Sequence, residues 1–311
     1  MSNVLVVLVN YNSPRDTYRC LESLAQSTLQ PKVVVVDNAS TGEGLIDEQK
    51  TKACYLDTHV IFNPHNDGFG GGNNIGLEWG LANSEADYFF ILNNDTVVLR
   101  DSIEKLAKYL EEQPRVGMCS PAIFRFNEPD IYWFGGGYID WKKGGAISPN
   151  INRSVNCSID IADSTFITGC AMFLRREVLI KVGGFSDDYF MYSEDIDYCQ
   201  RVLNAGYKIA YVPSIKILHD AHSSIMKNNQ KFVPAQHWSN KNLGFVLQNI
   251  VYGTLINLKK HATGSERFVG TIWVLMRYFK WCLSYIRHKR IDALRAIFTG
   301  VICSVSGKRP V

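Results

Sequence analysis

No two of the eight cysteines in this chain form a CxxC pair; they are scattered at positions 20, 54, 119, 157, 170, 199, 282 and 303. That scatter argues against a zinc site and against a disulfide framework, and it fits reduced thiols in the cytosol. No secretory leader is visible in the first residues either. The apolar VLVVLV begins at Val4 without a basic segment before it and runs straight into NYNSP, so it reads as a first strand. There is no internal repeat, no low-complexity tract and no evident Ser-His-Asp or Cys-His relay. Nor is there an uncharged apolar run long enough to span a bilayer: the best candidate, 268–290, carries Arg277 and Lys280 in its middle. Acids are scarce at one end. Residues 240–311 hold 12 Lys/Arg against two Asp/Glu, a charge of +10, whereas residues 1–239 hold 21 against 28, a charge of −7. The tail rather than the body therefore faces something anionic, either phospholipid or nucleic acid. Its bases accompany large aliphatic side chains rather than a polar groove, which disfavours nucleic acid.

The 311 residues, 46% hydrophobic and 20% charged, suffice for one large domain or two small ones and exclude wholesale disorder. The first hundred residues alternate. Continuous apolar runs at 4–12, 32–40, 58–66 and 87–95 read as strands. Helical spacing follows at Arg15–Ser27, Asn73–Asn83 and Asp101–Glu112. Apolar strands separated by helices imply a parallel sheet covered on both faces, in which ligands bind beyond the carboxyl ends of the strands. Those ends read NYN, DNAS, NPHND and NNDT. Asn and Asp are ordinary turn residues, yet all four ends carry them, which favours a site over simple turns for Asn93, Asn94, Asp95 and Thr96. Beyond Arg115 the pattern loosens. Segments 117–126, 164–176 and 207–219 read as strands, Glu194–Ala205 as a helix, and the polar stretch after His222 as a loop or linker.

Three further stretches bear on chemistry. GFGGGNNIG (68–76) follows a strand and opens a helix but fails the GxGxxG register, with Asn73 or Ile75 where the last glycine belongs. It reads as a tight turn, with or without a ligand close to its backbone. In FMYSEDIDYCQR (190–201), Ser193 suits an N-cap with Glu194 and Asp195 in the first helical turn. Asp197 and Arg201 read as an ordinary surface pair. The capping reading competes with a functional one, because a carboxylate among Tyr189, Phe190 and Tyr192 can act as a general base on a hydroxyl. His219 and His222, three apart after a strand, are candidate partners of a metal that also takes carboxylate and phosphate oxygens, either Mg²⁺ or Mn²⁺.

NYN, VVDNAS, N-x-GF-x-GG-N, ILNNDT, TGCAMFLRR, GGF, FMYSEDIDYCQR and the late histidine, in this order, resemble family 2 glycosyltransferases. These are inverting enzymes of the GT-A fold (a Rossmann-like, mostly parallel α/β sheet flanked by helices) that use nucleotide-diphospho sugars. The likeness covers about 3–224 and is nearest to bacterial rhamnosyltransferase-like members that build surface polysaccharides of the cell envelope.

The resemblance implies a catalytic domain over 1–224, with a donor half of about 1–100 and an acceptor half of about 115–224. It implies that Asp37 meets the base or ribose, that Tyr11 and Asn66 line the nucleotide pocket, and that Asn94 approaches the ribose. Asp95 and His219, or else His222, would hold the divalent metal. Asp195, with Glu194 beside it, would be the base, and Gly169 would let the donor sugar approach backbone. Where many relatives have two or three acids, this chain has Asn93 and Asn94, which leaves a thin ligand set.

The expected reaction is a single, metal-assisted inverting displacement from dTDP-L-rhamnose to a hydroxyl of a lipid-linked saccharide. A UDP-hexose or UDP-N-acetylhexosamine donor is the alternative within the fold. A non-catalytic sugar-nucleotide-binding protein is the alternative from another class. For 225–311 the expectation is a loop and a basic amphipathic helical tail, with Gly270, Arg277, Lys280, Ser284 and Arg287 recurring on a polar face and Trp273, Met276, Phe279, Leu283 and Ile286 left for other faces. That tail would lie on the anionic inner face of the cell membrane from the cytoplasmic side, or else cover the catalytic domain or a second subunit as a homodimer contact.

Overall fold

The computed structural model describes residues 2–161, 163–220 and 236–310; His222 lies outside them. The chain opens with β1 (Val4–Asn10), whose VLVVLVN sequence is buried along nearly its whole length, as β-branched runs are in a strand covered on both faces. Pro14, with its φ preset, begins α1 (Pro14–Ala25), and Tyr18, Leu21 and Leu24 turn inward at the expected spacing. Then come β2 (Lys32–Asn38), a short α2 (Glu48–Cys54), β3 (Thr58–Asn63), α3 (Gly68–Asn83), β4 (Tyr88–Asn93), β5 (Thr96–Val98) and α4 (Ser102–Glu112). The second half contributes β6 (Val116–Arg125), β7 (Glu128–Phe134), β8 (Tyr138–Asp140), β9 (Gly145–Ile147), β10 (Ala171–Arg175), α5 (Arg176–Val182), α6 (Glu194–Asn204) and β11 (Lys208–His219). Three helices follow: α7 (Leu243–His261), α8 (Gly264–Arg287) and α9 (Ile291–Ser306).

One sheet holds nine strands in the order β3-β2-β1-β4-β10-β6-β11-β5, with β7 added on β6. β3, β2, β1 and β4 are parallel in register, as their continuous apolar runs predict. β10 then runs antiparallel to both β4 and β6, so the parallel part of the sheet ends at β4 and the remainder is mixed. Only Ala171–Arg175 of the expected strand at 164–176 is a strand; the residues before it form a turn that proves central to the site. α3 starts at Gly68, inside the glycine run, five residues before the expected Asn73. Its small residues admit close packing: a Cβ at Gly76 or Gly80 would press on Val7 or on Phe89 and Leu5.

The tail is helical as expected, and it packs on the second half of the preceding domain, against Ile139, Trp141 and Ile196. Leu247, Val251 and Leu258 of α7 share a core with Val274 and Tyr278 of α8, Ile297 of α9 and Trp141. Gly270, expected on the polar face of α8, instead lies against the Trp141 carbonyl, where a Cβ would fall 2.0 Å from the oxygen. Among the described residues no helix is long and apolar enough to cross a membrane.

Candidate active site

Beyond the carboxyl ends of β1, β2 and β4 lies a cavity of about 430 Å³, in the range of small-molecule sites. Tyr11, Asn66, Asn94 and Asp95 line it, together with Asn38, Asn73, Asn93 and the rings of Phe69, Phe190 and Phe245. Two larger cavities, of about 740 and 760 Å³, open elsewhere on the surface; neither contains these strand ends or the acids of α6.

The amides at the strand ends knit the loops. Asn38 Nδ2 donates to Asn66 Oδ1 and to the Gly68 carbonyl, each at 3.0 Å. Gly68 has φ +76°, and its N–H returns to Asn66 Oδ1. A Cβ there would fall 2.0 Å from the Phe190 carbonyl, so this turn requires glycine. Asn94 Nδ2 donates to Ser13 Oγ at 2.9 Å and to Thr17 Oγ1 at 2.8 Å. Thr17 donates to Asn10 Oδ1, and Asn10 Nδ2 donates to Asp37 at 2.8 Å. Asp37 is thus joined to the cavity by a chain of hydrogen bonds. It is itself buried, takes the N–H groups of Ser40 and Ile46, and does not line the cavity.

The NNDT turn divides its labour. Asn93, Asn94 and Asp95 line the cavity, whereas Thr96 points into the protein and donates to the Asn93 carbonyl at 2.7 Å. β5 pairs with β11 in the register Thr96↔His219, which brings Asp95 beside His219 across 124 residues of sequence. Asp95 Oδ1 stands 2.9 Å from His219 Nε2. Neither atom has a hydrogen-bond partner of acceptable geometry among the described residues, although both are buried. Two ligating atoms side by side, with no hydrogen bond to any other described residue, would suit a shared divalent cation, which would bind in place of the imidazole proton. Burial alone would pull the His219 pKa down, but the Asp95 carboxylate and the Cys170 thiol more than offset it and hold it well above the usual histidine value. Trp133 packs edge-on against the ring at 4.3 Å. No cluster of three or more His, Cys, Asp or Glu that could hold a metal occurs among the described residues.

The acids of α6 meet the turn before β10. The Gly169 N–H donates to Asp195 Oδ2 at 3.3 Å, and the Ile196 N–H donates to Oδ1 at 2.9 Å. The next residue, Cys170, accepts from the Asn93 N–H at 2.9 Å through its carbonyl, and its thiol lies beside His219. The Thr168–Cys170 turn is thus a joint with the base candidate on one side and the Asp95–His219 pair on the other. Phe69, which lines the cavity, sits against Gly169, within 2.9 Å of where a Cβ would be. Gly169, Glu194, Asp195 and His219 stand behind the lining rather than in it. Burial raises the Asp195 carboxyl against the N–H bonds that lower it, and burial with Asp195 opposite raises Glu194 as well. Glu194 Oε2 is buried without a partner among the described residues.

Two expectations about this segment need correction. Ser193 does not cap α6 with its side chain: Tyr192 and Ser193 both take left-handed backbone, at φ +70° and +73°. They are held by α7, where Asn257 Nδ2 donates to the Ser193 carbonyl at 2.9 Å and Tyr189 donates to Asn257 Oδ1 at 2.8 Å. Asp197 is no surface residue. It is fully buried and takes Arg201 at 2.8 Å, His261 at 2.8 Å and Lys260 at 3.3 Å. Sequence reasoning also missed Asn38, Asn73, Phe69 and Phe245. The glycine-rich motif held a signal for Phe69 and Asn73, while Phe245 arrives from a helix beyond the recognisable motifs.

The profile described as "Glycosyl transferase family 2" matches residues 5–183, and one described as "N-terminal domain of galactosyltransferase" matches 153–223. The chain is 27% identical over 249 residues to "Rhamnosyltransferase WbbL" of Escherichia coli (strain K12), covering 76% of this chain and 89% of that one. It is 28% identical over 261 residues to "N-acetylglucosaminyl-diphospho-decaprenol L-rhamnosyltransferase" of Mycobacterium tuberculosis (strain CDC 1551 / Oshkosh), covering 77% and 83%. Among solved structures it superposes on GalNAc-T7 with UDP, GalNAc and Mn²⁺ at a TM-score of 0.60 and 15% identity, over 83% of this chain and 48% of that one, a likeness of fold. With the family profile matched over more than half of its length, the chain belongs to glycosyl transferase family 2, as a glycosyltransferase of the rhamnosyltransferase-like kind.

Proposed function

We propose that this glycosyltransferase moves L-rhamnose from dTDP-L-rhamnose to a hydroxyl of a lipid-linked surface-polysaccharide acceptor, with inversion at the anomeric carbon. One observation carries the reading: the adjoining Asp95 and His219, 2.9 Å apart, stand across a single turn from Asp195, at the edge of an amide-lined cavity. Asp95 and His219 would hold a divalent cation, Mg²⁺ or Mn²⁺, beside the donor's diphosphate, where it would supply positive charge to the leaving group.

The chain's own groups do the rest. Tyr11 and Asn66 line the nucleoside end, and Asn94, fixed by Ser13 and Thr17, meets the ribose. Asp37 serves the base end through the Asn10–Thr17 chain. Gly169, without a side chain, lets the sugar approach backbone while its N–H steadies Asp195. Asp195 removes the acceptor proton, and its raised pKa makes it a stronger base than an exposed carboxylate. Glu194, its buried neighbour, shares the titration. Attack from the face opposite the diphosphate inverts the configuration in one displacement.

The names of the E. coli and M. tuberculosis relatives support rhamnose and a diphospho-polyprenol acceptor. The UDP and GalNAc bound to GalNAc-T7 favour the second reading, a UDP-hexose or UDP-N-acetylhexosamine donor. A calorimetric screen of nucleotide sugars with Mg²⁺ and Mn²⁺, followed by transfer to a polyprenyl-diphospho-saccharide, separates them. The expected result is preferential binding of dTDP-L-rhamnose and an inverted product. Preferential turnover of a UDP sugar would replace the first reading with the second.

A further inference from the structure

α8 and α9 expose apolar surface that none of the described residues covers. On α8 the buried stripe is Gly270, Val274, Tyr278 and Tyr285, all facing the second half of the preceding domain and α7. Nearly opposite it, Phe268, Ile272, Met276, Phe279, Leu283 and Ile286 recur at three- and four-residue steps, and each is between 43% and 69% exposed. On α9 the buried Ala293, Ala296, Ile297 and Gly300 face inward, while Ile291, Phe298, Ile302 and Val305 are 62% to 81% exposed. Two neighbouring helices each carry a second apolar stripe, well beyond the scattered hydrophobic residues of an ordinary surface.

The charge around the stripes names the partner. Between 264 and 310 there are nine Lys/Arg and two acids, a surplus of seven positive charges. Lys280 and Arg287 stand exposed beside the α8 stripe and Arg295 within the α9 stripe, whereas Asp292 is paired with Arg290 at 2.6 Å. A second copy of the chain would bring like charge against like charge. Anionic lipid headgroups would neutralise the bases while the stripes enter the acyl boundary.

The surface also has a defined relation to the cavity. Arg290, in the α8–α9 turn, donates to the Trp238 carbonyl and, at 3.0 Å, to the Asn240 carbonyl. Those residues lead directly into α7, whose first turn carries Phe245 to the cavity wall.

We infer that the exposed faces of α8 and α9 form a docking surface for an anionic bilayer, which sets the cavity mouth beside the headgroups. This deepens the proposed function, whose lipid-linked acceptor would be met there, but the docking is measured without donor or acceptor and can fail separately. The full chain is sedimented with phosphatidylcholine vesicles with and without phosphatidylglycerol, alongside a Phe279→Asp/Phe298→Asp variant and a Lys280→Gln/Arg287→Gln variant. The wild type is expected on the anionic vesicles only, with binding that weakens as salt rises. Each double variant should bind at least about tenfold more weakly and keep the wild-type melting temperature and donor affinity. Equal binding of wild type and variants would overturn the proposal. So would a dimer of the wild type in solution that Phe279→Asp/Phe298→Asp disperses.

Discussion

Asp195→Asn is expected to lower transfer by about 10²–10⁴-fold, the usual contribution of a positioned general base, while nucleotide-sugar binding is retained. The amide is isosteric and its single oxygen keeps one of the two N–H bonds that orient Asp195, from Gly169 to Oδ2 or from Ile196 to Oδ1, while the proton acceptor is lost. Initial rates beside donor calorimetry read the two effects separately. Undiminished transfer would remove Asp195 from the role.

The wild-type pH profile follows from the same burial. Both carboxyls of the Glu194–Asp195 pair are raised, first of all by burial. The base is therefore still protonated where exposed carboxylates, near pH 4, have ionised, and transfer should rise along an acid limb displaced above that value. The sign for stability is the opposite. A carboxyl raised in the folded state favours folding below its unfolded pKa, and that contribution is lost as pH rises through the folded value. The limb belongs to the pair rather than to either residue, because neighbouring acids titrate together.

The largest expected effect on stability is at Asp197. Its side chain is fully buried among Arg201, His261 and Lys260. Removing one partner of a buried ion pair typically costs about 3–5 kcal/mol, because the remaining charge is left uncompensated. Asp197→Ala should fall in or near that range by urea denaturation at neutral pH, even though Asp197 touches neither the cavity nor the acids beside it. Burial alone would raise this carboxyl, but His261, Arg201 and Lys260 outweigh it and bring its pKa down to about 2. A depressed folded pKa contributes stability above the unfolded value near 4 and loses it as pH falls toward 2. The difference between wild type and variant should therefore shrink over that window. An unchanged urea midpoint at neutral pH would show that the cluster holds nothing together.

Asp197 also marks the boundary of what the sequence discloses. β1 to β4 are legible because strands buried on both faces are apolar throughout, and their amide-rich ends are legible because four such ends recur. The meeting of Asp95 with His219 depends on the pairing of β5, only three residues long, with β11, and no local pattern announces that register. The early start of α3 runs against glycine's poor helix propensity. It is decided by the close packing of that helix on β1 and β4. Ser193, Asp197 and Gly270 were misjudged for one shared reason. Each looks like a capping or surface residue in its own segment, and each is placed by helices of the tail or by what packs on them: Asn257 holds the Ser193 carbonyl, His261 and Lys260 reach Asp197, and α8 lays Gly270 on Trp141. Periodicity within a helix identifies its faces but not which of them another helix will cover.

The central claim is that Asp95, His219 and Asp195 serve one reaction centre around the Thr168–Cys170 turn. A crystal structure with Mn²⁺ and an intact donor analogue tests it most directly. The account predicts a manganese anomalous peak within coordination distance of both Asp95 Oδ1 and His219 Nε2, with the anomeric carbon on the side of the turn where Asp195 stands. Manganese held elsewhere, or an anomeric carbon screened from Asp195 by packed side chains, would contradict it.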